Sequence, residues 1–359
     1  MSDAEADPNA AMDDNRLQPA FLRAIETALD AEDEGDVRAL VKPLHPADIA
    51  DLFEQLSADR RADLAAALGR DLNADVLAEM NDWVRDEVVG ELEPAQVAEA
   101  VAEMDTDDAV ALIEELEPAE QEAVLEELAP DDRVAIETAL SYPEESAGRL
   151  MQRELIAVPE HWTIGQVIDY LRAESNDVTD FWEIFVVSPE HKPVGTMRLS
   201  WVLTTPRRLA VSDVMKRQQT LIPVDLDQEE VALRFQKYAL ISAAVVDREG
   251  RLAGVITADD IVHIIAEEAG EDILKLSGAG DGDIFEPVVD SYKARVRWLI
   301  ANLMTAIVSA SVIASFGATI EKMVVLAALS PIVASIGGNT GNQTMAVIVR
   351  ALATGQMTD

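Results

Sequence analysis

The chain has 359 residues, no cysteine, four histidines and a formal net charge of −40, and 49% of its residues are hydrophobic. The missing cysteine excludes disulfides and thiolate metal sites, and so few histidines argue against a His-rich transition-metal centre. A body this acidic repels nucleic-acid phosphates and anionic headgroups and attracts cations; solubility or adaptation to salt is the competing explanation of the same charge.

The charge is unevenly placed. From Ser291 onward five basic residues (Lys293, Arg295, Arg297, Lys322, Arg350) stand against two acidic ones (Glu321, Asp359), a balance of +3, so the residues before Ser291 carry −43. Residues 1–16 are acidic and lack an apolar stretch. They read as a disordered tail and not as a secretory signal.

Residues 17–141 carry a short repeat. Leu92-Glu-Pro-Ala, Met104-Asp-Thr-Asp, Leu116-Glu-Pro-Ala and Leu128-Ala-Pro-Asp follow one another at 12-residue intervals, as do Leu44-His-Pro-Ala and Leu56-Ser-Ala-Asp. Each unit has a break, a Pro or polar residue at a helix start, and about two apolar turns. The reading is an all-α domain of stacked short helices, solenoid-like, in which each unit needs neighbours to close its core. Its exposed faces must be strongly acidic.

Residues 148–209 and 210–266 hold two related βαβ-like stretches. The second runs from Val211–Met215 through Thr220–Asp225, a helix over 228–238, an apolar strand at 243–246, a turn at 247–250 and a strand at 252–257. Asp259 and Asp260 then open a helix, where carboxylates suit the positive end of the dipole. The first copy has Leu150-Met151, Ile156–Pro159, a helix over 164–171, a strand at 184–187 and Val194–Met197. This pattern resembles a tandem CBS-domain pair. The resemblance implies adenine-nucleotide binding through a Thr/Ser-x-x-Asp ending, which Thr257 and Asp260 fit. The first copy has Arg198 and Trp201 there, so one such site at most is intact. A strand end and a helix cap account for Thr257 and Asp260 equally well.

No charged residue occurs from Trp298 to Ile320 or from Met323 to Val349. Each run exceeds the roughly 20 apolar residues that cross a bilayer, and they read as a transmembrane hairpin with a short loop at 318–322. Lys293, Arg295 and Arg297 before the first run and Arg350 after the second place both outer ends in the cytoplasm. The second run contains Ser330-Pro331 and then Gly337-Gly338-Asn339-Thr340-Gly341-Asn342-Gln343-Thr344. Such a tract is expected to be irregular, exposing backbone carbonyls toward protein or a water-filled path. Uncharged oxygens suit a hydrated cation, and Mg²⁺ keeps several waters when bound. Close helix packing through small residues is the alternative.

The order of acidic helical repeat, Tyr142-Pro-Glu-Glu-Ser-Ala-Gly-Arg-Leu-Met151, CBS pair, acidic linking helix and Gly-Gly-Asn-Thr-Gly-Asn-Gln span resembles the MgtE family of magnesium channels. The resemblance implies a multidomain chain: an all-α acidic N domain, an α/β tandem CBS pair, a connecting (plug) helix over 267–294 and an α-helical transmembrane part over 295–359. It implies a homodimer in the cell membrane, multi-pass, with a large cytoplasmic N-terminal part. Mg²⁺ is both transported and regulatory, and lipid but no nucleic acid is a partner; ATP is the ligand that the CBS resemblance would admit. Regulatory Mg²⁺ would bind Asp75, Asp107, Asp108, Asp260, Glu268, Glu271 and Asp272, and the pore would be lined by Gly337, Gly338, Asn339 and Asn342. For any single acid the alternative is a solvated surface carboxylate. Ala239 and His263 stand where family members carry carboxylates, which implies fewer or weaker sites. The family has five spans per subunit and its ion-holding pore acid lies in the last. Two spans are read here, so the chain is expected to be either a fragment or a truncated member.

The leading functional expectation is Mg²⁺ transport gated by intracellular Mg²⁺ bound between the acidic N, CBS and connecting-helix surfaces. The alternative is a non-conducting, membrane-anchored CBS regulator that senses nucleotide or divalent cation. No nucleophile–base pair, P-loop or metal-hydrolase motif points to an enzyme.

Overall fold

The computed structural model describes residues 12–13, 16–173, 181–277 and 288–353. The expected tail reaches into this range: β1 (Met12–Asp13) pairs antiparallel with β2 (Arg16–Leu17), and Leu17 is buried. The rest of that tail lies outside the described residues.

Ten helices follow among the described residues of the N domain: α1 (Pro19–Asp30), α2 (Glu34–Val41), α3 (Pro46–Gln55), α4 (Ala58–Leu68), α5 (Ala74–Ala78), α6 (Asp82–Gly90), α7 (Pro94–Val101), α8 (Thr106–Glu115), α9 (Pro118–Glu127) and α10 (Pro130–Leu140). The helix starts at Pro46 and Ala58, and again from Asp82 to Pro130, keep the 12-residue interval of the sequence repeat. Proline opens α3, α7, α9 and α10, where its missing N–H costs nothing. Side chains of His45, Asn73 and Asn81 accept first-turn amides, and Glu93 with Gln96 closes a capping box. The repeat breaks once. Gly69, at φ 53°, turns the chain into a short 3-10 turn (Gly69–Asp71), and α5 follows late and short. Few residues but Gly take that φ cheaply.

Helices pack on their next-but-one neighbours: α2 on α4, α4 on α6, α6 on α8, α8 on α10, and α7 on α9. This is the contact pattern of a stacked array, in which each unit buries its apolar stripe against the units beside it. Two arginines are buried within it. Arg61 donates to the Phe53 carbonyl at 2.9 Å and to Glu87 at 2.5 Å. Arg85 grips both oxygens of Glu115, at 2.7 and 3.2 Å, and Asp82 at 2.9 Å.

The CBS pair repeats one unit. The first contains β3 (Ala157–Pro159), α11 (Ile164–Ala173), β4 (Glu183–Val187), β5 (Pro193–Arg198) and α12 (Leu199–Thr204). After α13 (Val211–Val214) the second contains β6 (Leu221–Pro223), α14 (Gln228–Tyr238), β7 (Ser242–Val246) and β8 (Leu252–Thr257). Each three-stranded sheet has one parallel and one antiparallel pair, in the orders β3-β4-β5 and β6-β7-β8. The two hairpins match residue for residue: Glu183 faces Arg198 as Ser242 faces Thr257, and both carry a register shift before the last pair.

The units exchange their leading segments. Gln152, ahead of the first unit, bridges to Val255 in β8, and Lys216, ahead of the second, bridges to Thr196 in β5. A glycine lies under each crossing. A Cβ on Gly254 would stand 2.6 Å from the Gln152 carbonyl oxygen, and one on Gly195 would stand 2.8 Å from the Met215 sulfur. An apolar cluster of Phe185, Val187, Ala244, Leu252 and Val255 joins the sheets.

The chain divides into two compact units, Met1–Val231 with Leu240–Ala258, and Ala232–Ala239 with Asp259–Asp359. In the second, α15 (Ala258–Ser277) runs unbroken across the boundary expected at 266/267. The rest of the expected connecting helix, up to residue 287, lies outside the described residues. Then come α16 (Val288–Ser315), α17 (Gly317–Lys322) and α18 (Val325–Ala353). The expected loop at 318–322 is therefore a short helix. The expected irregular tract is also helical. Gly337 to Thr344 continue α18, their carbonyls are committed to the helix ladder, and the Thr344 hydroxyl donates to the Thr340 carbonyl at 2.8 Å. One stretch among the described residues, Ser291–Ser315, is long and apolar enough to cross a membrane. The second span was expected to match it; its polar Gly-Asn-Thr centre lowers its apolarity.

Candidate functional site

The acids proposed as metal ligands fall into two groups. Asp75 lies in the first turn of α5 and is exposed, its carboxylate accepting the Asn73 amide at 3.4 Å. Asp107 and Asp108 lie in the first turn of α8, the former buried and the latter exposed. α5 packs on α8, so the fold brings these first turns into neighbouring helices. Carboxylates at that end of a helix complement its dipole. The second group is on α15. Asp260, Glu268 and Glu271 share one helical face with the buried Ile264, since those positions recur within about 80° at 100° per residue. All three are half-buried. Asp272 is also in this helix. Among the described residues, no three His, Asp or Glu side chains are gathered closely enough to hold a metal ion. Ala239, at the end of α14, has φ 49°, the left-handed region that suits glycine or asparagine at a helix end.

Several charged groups that sequence reasoning passed over are central here. The entry segment after α10 is bonded on two sides. Arg149 pairs with Glu114 of α8 and donates to the carbonyls of Tyr142 and Leu140, both at 3.0 Å. The Gln152 side chain donates to Asp107 at 3.4 Å. Glu154 accepts the Thr106 hydroxyl at 2.7 Å and the Thr106 amide at 3.3 Å, so it caps α8 from outside the helix. The same segment's backbone is bonded to the second CBS unit: Ala147 to Leu226 at 2.7 Å, Gly148 to Val224 at 2.9 Å, and Gln152 to Val255 at 2.8 and 2.9 Å. Gly148 is required because a Cβ there would meet the Tyr142 ring at 2.5 Å. This accounts for the Tyr-x₅-Gly-Arg spacing of the entry motif. Glu114, Glu154 and Thr106 carried no sequence signal, since their partners are more than 30 positions away.

Burial pushes the Glu115 carboxyl up to about 7, with Arg85 opposing and Asp82 adding to the rise. Asp86 is also raised, first by burial and then by Glu120. The N domain thus holds carboxyls whose ionisation is costly.

The proposed nucleotide residues sit at the end of the second hairpin. Thr257 closes β8 opposite Ser242, and Asp260 lies in the first turn of α15. The matching end of the first hairpin is filled differently. Arg198 faces Glu183 at 3.7 Å and lies over the Trp201 ring at 5.8 Å. Glu183 also accepts the Ser242 hydroxyl at 3.1 Å. In the membrane part, Gly337, Gly338, Asn339 and Asn342 are all on α18 and exposed, and no atom lies within 4 Å of a Cβ built on either glycine.

Comparison with known proteins bears out the resemblance read from the sequence. Residues 44–145 match the family described as the MgtE intracellular N domain, and residues 211–267 match the CBS domain. The magnesium transporter MgtE of Thermus thermophilus is 36% identical over 222 residues, 61% of this chain and 49% of that protein. The Bacillus subtilis magnesium transporter MgtE is 29% identical over 225 residues, 62% of this chain and 50% of that protein. The chain thus spans about half the length of these curated relatives. A crystal structure of the cytosolic domain of the Mg²⁺ channel MgtE in complex with ATP superposes with a TM-score of 0.63 at 28% identity. It covers 68% of this chain and 99% of the other. The soluble part of a magnesium transporter gives a TM-score of 0.61 at 24% identity, over 70% and 98%, and supports the fold alone.

Proposed function

We propose that this chain, which carries the MgtE intracellular N domain and a CBS domain, is the cytoplasmic sensor and leading membrane part of a homodimeric, multi-pass Mg²⁺ channel in the cell membrane. Intracellular Mg²⁺ bound between the acidic N, CBS and connecting-helix surfaces favours the closed state. The observation that carries this reading is the set of acids on α15, Asp260, Glu268 and Glu271 on one half-buried face of a helix that stands, in chain order, between the CBS pair and the apolar stretch Ser291–Ser315.

Carboxylate oxygens are the hard donors Mg²⁺ takes, and Mg²⁺ usually holds one or two of them with several waters. Single acids on facing surfaces therefore suffice, and a preformed trio is not required. Without the ion, facing carboxylates repel; with it, the closed arrangement gains by its differential affinity. In the membrane, Asn339 and Asn342 on helical α18 would present amide oxygens to a hydrated cation. Further spans from the rest of such a channel would complete the path.

The test is limited proteolysis of the segment following Glu271, with and without Mg²⁺. Protection that rises through the millimolar range, and that Glu268→Gln with Glu271→Gln weakens, supports the reading. Cleavage indifferent to Mg²⁺ across that range rejects it.

A second reading is favoured by one observation: the second hairpin ends in Thr257 opposite Ser242, a small polar pair. A related cytosolic domain was crystallised with ATP. In this reading the chain is a non-conducting regulator that senses nucleotide. Calorimetry with ATP, on wild type and Thr257→Val, tests the binding; Mg²⁺ uptake into starved cells expressing this chain separates the two functions.

A further inference from the structure

Glu183 stands where the ends of the two CBS hairpins meet. It opens β4 opposite Arg198 at the end of β5, and Ser242 opens β7 opposite Thr257 at the end of β8. Each of its carboxylate oxygens is held by a different unit. Oε1 stands 3.7 Å from the Arg198 guanidinium, and Oε2 accepts the Ser242 hydroxyl at 3.1 Å. The two charges are unequally placed: the Glu183 side chain is 16% exposed and that of Arg198 51%. Water therefore screens the cation more than the anion. Their separation is also longer than a hydrogen bond, and the guanidinium lies over the Trp201 ring, 5.8 Å from its centroid. Arg198 thus offsets Glu183 only in part, and a negative field remains beside Ser242 and Thr257. The Thr/Ser-x-x-Asp pattern could not reveal this, because Glu183 belongs to the other unit, 59 positions from Ser242.

We propose, resting on the nucleotide-sensing reading above, that Glu183 is the specificity-determining residue of the candidate site at Ser242 and Thr257, and that it favours a nucleoside without phosphates over a nucleoside triphosphate. A carboxylate accepts hydrogen bonds from ribose hydroxyls and an exocyclic amine, and it repels phosphate oxygens. ATP still enters such a site, at a penalty that an uncharged ligand does not meet. Arg198, the nearest cation to that carboxylate, is already engaged with it.

Calorimetry on the full chain in detergent, with adenosine and with ATP at one fixed free Mg²⁺ concentration, decides the matter. Wild type should bind adenosine about tenfold more tightly than ATP. Glu183→Gln keeps the shape and an acceptor for Ser242 but removes the charge. It should bring ATP to within about threefold of adenosine and leave adenosine itself unchanged. The role of Glu183 is rejected if wild type binds ATP as tightly as adenosine, or if Glu183→Gln keeps the wild-type ratio. Where Thr257→Val abolishes ATP binding and that ratio is nevertheless kept, the nucleotide reading stands and Glu183 alone is dismissed. Where neither ligand binds wild type or Glu183→Gln up to millimolar concentration, the nucleotide reading fails and the role of Glu183 falls with it. Should Glu183→Gln not fold, Arg198→Ala, at a half-exposed side chain, takes its place. Loss of the countercharge should weaken ATP at least threefold further with adenosine unchanged, and unaltered ATP binding overturns the assignment.

Discussion

The N domain and the CBS pair are held together by different physics. In the CBS pair the buried residues are apolar or, at Thr196, Gln228 and Ser242, polar and uncharged, and a glycine lies where each leading segment crosses the other unit's hairpin. In the N domain the helices bury apolar stripes too, but Arg61, Arg85 and Asp107 are buried with them. A domain so rich in carboxylates repels itself. Arginines placed between stacked helices turn part of that repulsion into cohesion, and Arg61–Glu87 and Arg85–Glu115 each tie a helix to its next-but-one neighbour. The CBS pair depends on shape, whereas the N domain depends on shape and on charge kept out of water.

The sharpest way to break this contrast is to remove one partner of a buried pair. Arg85→Ala leaves Glu115, its side chain 30% exposed, beside Asp82 without the guanidinium between them, and should cost about 1–3 kcal/mol. Exchange in α6 and α8 should rise steeply while β4 and β5 stay protected. Replacing both partners, Arg85→Met with Glu115→Leu, should restore most of the loss, because the apolar pair has no charge to desolvate. If the single and double variants are equally unstable, the arginine acts through its packing alone.

The next effect belongs to the CBS pair. Gly254→Ala drives a Cβ to 2.6 Å from the Gln152 carbonyl, a backbone atom that cannot swing aside. A cost of about 1–3 kcal/mol is expected, read by chemical denaturation. Gly195→Ala should cost less: its nearest atom is the sulfur of the flexible Met215 side chain at 2.8 Å, and the backbone oxygen there, that of Lys216, stands at 3.0 Å instead of 2.6 Å. Equal costs would mean that the two crossings are equally rigid.

Much of both regions was legible in the sequence, for reasons that differ. The 12-residue interval located α3, α4 and α7 to α10 because each helix start is a local event, a proline or a capping side chain. The interval also runs on through Leu68 and Met80, both buried, although the helix after Leu68 is displaced by the left-handed Gly69. The CBS hairpins were legible from apolar strands around a turn. The bonds of the entry segment to α8 were not: Glu154 meets Thr106 across 48 positions, and no local pattern specifies such a partner. The helical course of Gly337–Thr344 was misread because Gly and Asn are weak helix formers, and propensity gives way to the continuity of a long helix. The regulatory acids rested on family resemblance from the start, since one carboxylate among 68 acidic residues has no distinguishing mark of its own.

Acid should sharpen the contrast further. The folded-state value of Glu115 is raised, to about 7 from an ordinary 4.5. Its favourable contribution is therefore complete below about pH 4.5 and is lost as the pH climbs through about 7. Between pH 5 and 8 the N domain should lose on the order of 1–2 kcal/mol from this group, and Glu115→Gln should flatten the slope. Melting followed through α6 and α8 checks this; the CBS pair should show no matching slope. A slope of the opposite sign would mean that the Arg85 pair outweighs burial.

The smallest expected effect is the most direct control. Arg248 grips Asp225 with two bonds, at 3.1 and 3.3 Å, in the same bidentate manner as Arg85 on Glu115. The difference is exposure: the Arg248 side chain is 80% accessible and that of Arg85 7%. In water the Coulomb gain of such a pair is nearly cancelled by solvent screening and by the entropy of holding two long side chains. Arg248→Ala should therefore leave the melting curve of the CBS pair indistinguishable from wild type, at low and high salt alike. Two guanidinium–carboxylate pairs of similar geometry would then differ in consequence through burial of the guanidinium and the further acceptor that Asp82 gives Arg85. A loss at Arg248 as large as that at Arg85 would show that geometry, and not exclusion of water, sets the strength of these pairs, and the contrast between the two regions would lose its physical basis.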